Sequence, residues 1–246
     1  NTMPLETGDF ISDLVETNPL GSDNVSQGDD HLRLIKHVLK TTFPNLDCAV
    51  TATCDELNNA GKSLMPIVTT YTTVASAQTH TFTAGRTWCK VIVTGGGGGG
   101  TQDGSGNGLG AYAGATAIKT MAITEATATY TVGDGGAVAS GGSAGAASSF
   151  VQGATTVTGS GGPSPYTGAP SNGIGGDINI QGGGGFGTSE SVNNGAGGGS
   201  YWGTGNSRSA GLKEGAYGSG GKGDASGQGG VAASPGMSGI VVIEEY

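Results

Sequence analysis

No apolar run in this chain approaches the ~20 residues of a membrane-spanning helix, and charged residues make up only 12% of its 246 positions. Ten lysines and arginines are scattered among nineteen acids, for a formal net charge of -9. Proteins that grip nucleic acid cluster their Lys and Arg to neutralise phosphates, so neither a nucleic-acid partner nor membrane insertion is expected. Residues 1–20 lack the basic start and apolar core of a signal peptide, which points away from Sec export. Cysteine is scarce as well. Cys48, Cys54 and Cys89 form an odd set with no CxxC pair, a usage that fits small buried hydrophobes in a chain made in a reducing cytosol. A Cys48–Cys54 disulfide is the alternative.

Groups that carry chemistry are equally thin. Of the three histidines, His31 and His37 stand roughly 240° apart around a helix axis. They read as helix surface, and His80 as a strand residue. Asp103, Asp134, Asp177 and Asp224 lie among glycines without the DxDxDG spacing of a calcium loop, and read as solvated loop acids. Serine is too frequent to single out a Ser–His–Asp arrangement. A GxGxxG pattern follows a strand at Gly95, but no helix comes after it to receive a pyrophosphate. Gly61-Lys62-Ser63 resembles the end of a P-loop, yet Glu56 stands where that motif needs glycine. No catalytic residue, cofactor or metal is expected.

What the chain has in excess is glycine: 52 residues, all but five at or beyond Gly95. Ordering each one costs roughly 0.5–1 kcal/mol relative to alanine. Low-complexity disorder is the plain alternative, and three features oppose it. Charge is too sparse to expand the chain, large apolar residues recur, and the sequence reaches an intact strand at 239–246. Collagen is excluded because no period of three is kept in the sequence. Glycine does allow extended segments with three residues per turn to approach closely and bond N–H to C=O between neighbours. The tracts then form a bonded layer or loops held upon a β frame.

The first sixty-odd residues read differently. Residues 28–45 predict an amphipathic helix with Leu32, Ile35 and Leu39 on one face, acids in its first turn, bases near its end and Pro44 to stop it. Thr53 and Glu56 form a capping box for a short helix to about Ala60. This half has a thin core and leans on a partner or a second copy. From Ile67, stretches rich in Thr, Val and aromatics predict strands at 67–74, 79–83, 87–94, 116–124, 128–132, 148–151, 154–158, 177–180 and 239–246. The fold class expected is mainly β: a small N-terminal helical segment (1–62), then an all-β glycine-rich domain (63–246) whose short strands frame polyglycine-II-like tracts, with 62–85 as a joint.

Two resemblances follow. VIVTGGGGGG (91–100), AIKTMAITEATATYTVGDGG (117–136), SSFV (148–151) and GIVVIEEY (239–246) together resemble the glycine-rich domain of tailed-bacteriophage fibre and adhesin proteins. Independently, GDFISDLVETNPLGSDNVSQGDDHLRLIKHVLKTTFPN (8–45) is similar to the leading, virion-proximal segment of many phage tail fibre proteins. TATCDELNNAGKS (51–63) continues that pattern, with a cysteine that the family commonly lacks. The resemblance implies a non-enzymatic virion protein of the tail, assembled in the host cytoplasm as a homo-oligomer, as a trimer by analogy with fibres. Its implied partners are other tail proteins and a bacterial surface glycan or outer-membrane protein. A purely structural tail or collar component with no host ligand is the alternative, and a surface depolymerase is a remoter one, since such enzymes pair carboxylates across a groove.

The candidate residues follow from this division. For virion attachment or oligomer contact they are Phe10, Ile11, Leu14, Leu32, Ile35 and Leu39. For receptor contact they are Tyr112, Tyr166, Phe186, Tyr201, Trp202 and Tyr217, aromatics set among glycines. Anchoring is the plain role of such residues, and receptor contact the functional one. For Tyr201 and Trp202 the two readings stand level.

Overall fold

The computed structural model describes residues 6–18, 27–47, 49–60, 65–102, 108–166, 168–187, 195–205, 215–224 and 232–246. Cys48, the Gly61-Lys62-Ser63 turn and Asp103 lie outside the described residues. Two compact units divide the chain, Asn1–Leu57 and Asn58–Tyr246.

In the first unit, helix α1 (Gly28–Thr42) carries Asp29 and Asp30 in its first turn and Lys40 in its last, each sign at the favourable end of the helix dipole. A 3-10 turn at Ile11–Asp13 lies against α1, where the Ile11 N–H donates to Thr42 Oγ1 at 3.2 Å. The Asp13 carboxylate accepts from the N–H groups of Phe10 and Asp9 at 2.9 and 3.0 Å. These bonds, Phe10's first, hold its pKa below the usual carboxylate range. Helix α2 (Cys54–Ala60), within which the division between the units falls, begins at the expected capping box: the Thr53 N–H donates to Glu56 Oε2 at 2.6 Å, and the Glu56 N–H to Thr53 Oγ1 at 3.3 Å.

His31 corrects the surface reading. It is buried, as is Val38 two turns along the same face, and its Nδ1 stands 3.9 Å from Glu6 Oε2. The preceding segment covers that side of the helix, which periodicity within α1 cannot reveal.

The second unit is mainly β. Its strands are β1 (Ile67–Tyr71), β2 (Ala75–Thr81), β3 (Trp88–Thr94), β4 (Thr116–Ala122), β5 (Thr127–Val132), β6 (Ser148–Gln152), β7 (Thr155–Gly159), β8 (Gly173–Ile174), β9 (Ile178–Ile180) and β10 (Ile240–Glu245). They make two five-stranded antiparallel sheets, ordered β1-β10-β3-β4-β9 and β2-β5-β6-β7-β8. β8, two residues long, is the strand that residue type does not signal.

β-branched residues drive this pairing because they pack well on a pleated, half-buried surface. Val91, Val93, Val241 and Ile243 of the first sheet meet Ala128, Val132, Phe150 and Val157 of the second in one core. Fully burying Phe150 contributes about 1.5–3 kcal/mol. Edge strand β2 is bulged: its register shifts between Ala75 and Gln78, where Ala77 takes φ +51°. A bulge blunts an edge that would otherwise invite another strand.

Register places eight strand ends together. Thr94 faces both Thr116 and Ile240, and Thr116 faces Ile180. In the other sheet Ser148 faces Gly159, Gly159 faces Gly173, and Thr131 faces Ser149. From this end the chain leaves in four excursions, 95–115, 133–147, 160–172 and 181–239, which hold most of the glycine. The opposite end carries short connections, among them the two-residue turn after β6 in which Gly153 takes φ +54°. There too Ile67 enters, opposite Glu245.

Candidate functional site

The four excursions are bonded to one another, and Gly95–Gly100 lies at their centre. The N–H groups of Gly95, Gly98 and Thr101 donate to Ala115, Tyr112 and Leu109 at 3.1, 2.9 and 3.1 Å. Those of Gly96, Gly99 and Gln102 donate to Ala146, Ser143 and Ala139, and those of Gly97 and Gly100 to Met237 and Ser234. Residues three apart thus address the same neighbour. The carbonyls of Gly96, Gly97 and Gly98 accept from Gly162, Gly136 and Gly221, each at 2.8 Å. All six N–H groups of Gly95–Gly100 and three of their carbonyls thus pair with backbone, as buried polar groups must.

Glycine is obligatory here because of how closely the backbones approach. A Cβ on Gly97 would stand 2.0 Å from the Ser219 carbonyl oxygen, and one on Gly100 1.9 Å from that of Lys222. The pattern repeats beside the centre, where Gly110 and Ala113 donate to Phe186 and Gly183 at 3.2 and 2.9 Å.

The six aromatics separate by depth. Phe186 pairs with Gly110, next to Leu109 at the far end of the central tract, and is 73% exposed. Tyr166, 60% exposed, follows Pro163, whose carbonyl packs on Gly98. Tyr112 is half-buried mid-tract beside Gly184. The other three lie near the sheets. Trp202 packs on the outer face of the first sheet, over Ile92, Ile240 and Val242, and its Nε1–H donates to Thr94 Oγ1 at 2.8 Å. Thr94 Oγ1 in turn bonds Thr116 Oγ1 at 2.7 Å. Tyr201 stacks edge-on against Trp202, with ring centroids 5.1 Å apart, and is exposed. Tyr217, also exposed, precedes Gly218, which a missing Cβ brings close to Thr94 and Gly95.

Trp202 therefore ties the 181–239 excursion to the sheet. Trp202→Phe keeps a ring there and deletes the donor, so the unfolding free energy falls by about 1 kcal/mol; the urea midpoint measures it.

The attachment candidates in the first unit are mostly at the surface. Phe10, Ile11, Leu32, Ile35 and Leu39 are exposed, Leu32 at 60%, and Leu14 is half-buried. Val15, Phe43 and Leu46 of the same unit are exposed as well.

Two features escape sequence reasoning altogether. The first is a buried polar chain at the entry end. Tyr71 Oη lies 2.8 Å from His80 Nδ1, His80 Nε2 stands 3.2 Å from Glu245 Oε1, and Glu245 Oε2 accepts the Thr83 N–H at 2.7 Å. Burial pushes the His80 pKa below its ordinary value, against the pull of Glu245. It raises that of Tyr71 and pushes the thiol of Cys89 up to about 11, which leaves that cysteine inert.

The second is Asp224, which corrects the solvated-loop reading. It is buried; its N–H donates to Thr101 and its carbonyl accepts from Gly108, at 3.1 and 3.2 Å. Neighbouring tracts enclose it, a fact of packing that composition does not carry. Lys222 is buried on the same tract, and desolvation lowers its pKa while Asp224 opposes the shift. Asp177 is held by the Thr120 N–H at 2.8 Å and Lys119 Nζ at 3.1 Å.

Among the described residues no group of three or more His, Cys, Asp or Glu could hold a metal ion, and no helix is long and apolar enough to cross a membrane. No protein-family model matches the chain, and no curated protein matches it.

Proposed function

We propose that this protein is a tail fibre or adhesin-type component of a tailed-bacteriophage virion, assembled in the host cytoplasm. In this reading residues 1–62, a small helical segment, attach to other tail proteins and to further copies of the chain, as in a trimeric fibre. The glycine-rich domain recognises a bacterial surface glycan or outer-membrane protein, by contact and without chemistry.

One observation carries the reading: all four glycine-bearing excursions leave the sandwich at the end opposite the entry of Ile67. A chain fastened upstream of Ile67 would hold that layer outward. The period of three in its hydrogen bonds matches polyproline-II helices, three residues per turn, laid side by side. Such a layer has few side chains to reorder, so an exposed ring at its far end is presented with little loss of entropy on binding. Repetition over copies turns weak contacts into avidity.

The test separates recognition from assembly. In phage carrying Tyr166→Ala with Phe186→Ala, particle yield stays at the wild-type level while the adsorption rate falls about tenfold or more, the loss of one well-buried aromatic contact or two lesser ones. Failed tail assembly, or normal adsorption, supports the structural alternative instead.

A further inference from the structure

We propose that β1 and β10 form a load-bearing clamp, built to resist tension between the chain upstream of Ile67 and the glycine layer. That direction of load rests on the proposed function; the mechanical property itself does not.

The topology sets how force would act. β1 is an edge strand whose partner in the sheet is β10, in antiparallel register from Ile67↔Glu245 to Tyr71↔Val241. Ladder bonds lie perpendicular to the strands. Tension on Ile67, directed away from the glycine layer, slides β1 along β10 and loads all of those bonds together. β10 is held from the other side, because Gly239 leads it into the layer and donates to Gly133 at 2.9 Å.

The buried polar chain reinforces the same joint. Tyr71 stacks on Tyr130 of the other sheet, with centroids 3.8 Å apart, and bonds His80 of β2 at 2.8 Å. His80 faces Glu245 of β10. Slippage of β1 must break these contacts as well as the ladder. Tension between Ile67 and Tyr246, by contrast, crosses the ladder and opens it one bond at a time. Tyr246 meanwhile stays fixed to Trp88, to which its N–H donates at 2.8 Å.

The experiment pulls the full-length chain by two pairs of cysteine handles, with Cys48 and Cys54 replaced by serine. Met65→Cys paired with Gly141→Cys loads the clamp in shear. Met65 is exposed, and a Cβ at Gly141 meets nothing within 4 Å. Met65→Cys paired with a cysteine appended after Tyr246 loads it in peeling. At matched loading rate, shear needs about twofold or more force, since all the bonds share the load before any fails. Tyr71→Phe lowers the shear force and leaves the peeling force unchanged. Equal forces in the two geometries, or a shear force indifferent to Tyr71, overturn the clamp. Adsorption does not enter this readout, so the clamp and the recognition reading fail separately.

Discussion

Gly97→Ala removes a large part of the second unit's stability, whereas Gly141→Ala leaves it intact. The added methyl at position 97 would meet the Ser219 carbonyl oxygen at 2.0 Å and its carbon at 2.4 Å. Both are backbone atoms, and that backbone is itself bonded to Met237. No rotamer change relieves the clash, so a tract must move and release its hydrogen bonds. Overpacking in a core costs about 1–3 kcal/mol when side chains can yield; here they cannot, and a loss above ~3 kcal/mol is expected against a total of roughly 5–15. At Gly141 the same methyl meets nothing within 4 Å, and lower entropy in the unfolded chain contributes up to ~1 kcal/mol in favour of folding. Urea midpoints of the two variants decide it. Equal midpoints would mean that the tracts are not packed as described.

Glu245→Ala costs about 3 kcal/mol or more, because it strips the Thr83 N–H of its acceptor and removes the carboxylate that stands 3.2 Å from His80, in a buried place. The wild-type protein carries a related pH dependence. The pKa of His80 is lower folded than unfolded, chiefly through burial. The unfolded chain therefore binds the proton first, and stability is complete above the ordinary histidine value of about 6.5. It is lost as pH falls from there toward the folded value. Stability measured from pH 7 down to pH 5 should decline, and His80→Gln should flatten that slope. An unchanged slope in the variant would assign the decline to other groups. The carboxylates held low by backbone donors, Asp13 and Asp177, remain ionised over this interval.

Short-range physics made much of the architecture legible. Richness in Thr, Val and aromatics marked nine of the ten strands among the described residues, and the capping box at Thr53 and Glu56 marked the start of α2. β8 escaped because two residues cannot show a period. Glycine content pointed to close backbone approach and named the tracts involved, but it left a bonded layer and loops held upon the frame as alternatives; the carbonyls about 2 Å from where a Cβ would stand came from the structure.

Which tract lies beside which was decided only by the tertiary structure. Gly96, Gly97 and Gly98 are consecutive, yet their N–H groups reach Ala146, Met237 and Tyr112, partners drawn from three excursions. Burial of His31, His80 and Asp224 was hidden for the same reason. A residue's propensity depends on neighbours within a few positions along the chain, whereas its exposure depends on segments that arrive from far away. Trp202, set among glycines and bonded to Thr94 across the fold, shows both halves of this: its neighbours announced a large side chain in need of a place, and packing alone supplied one.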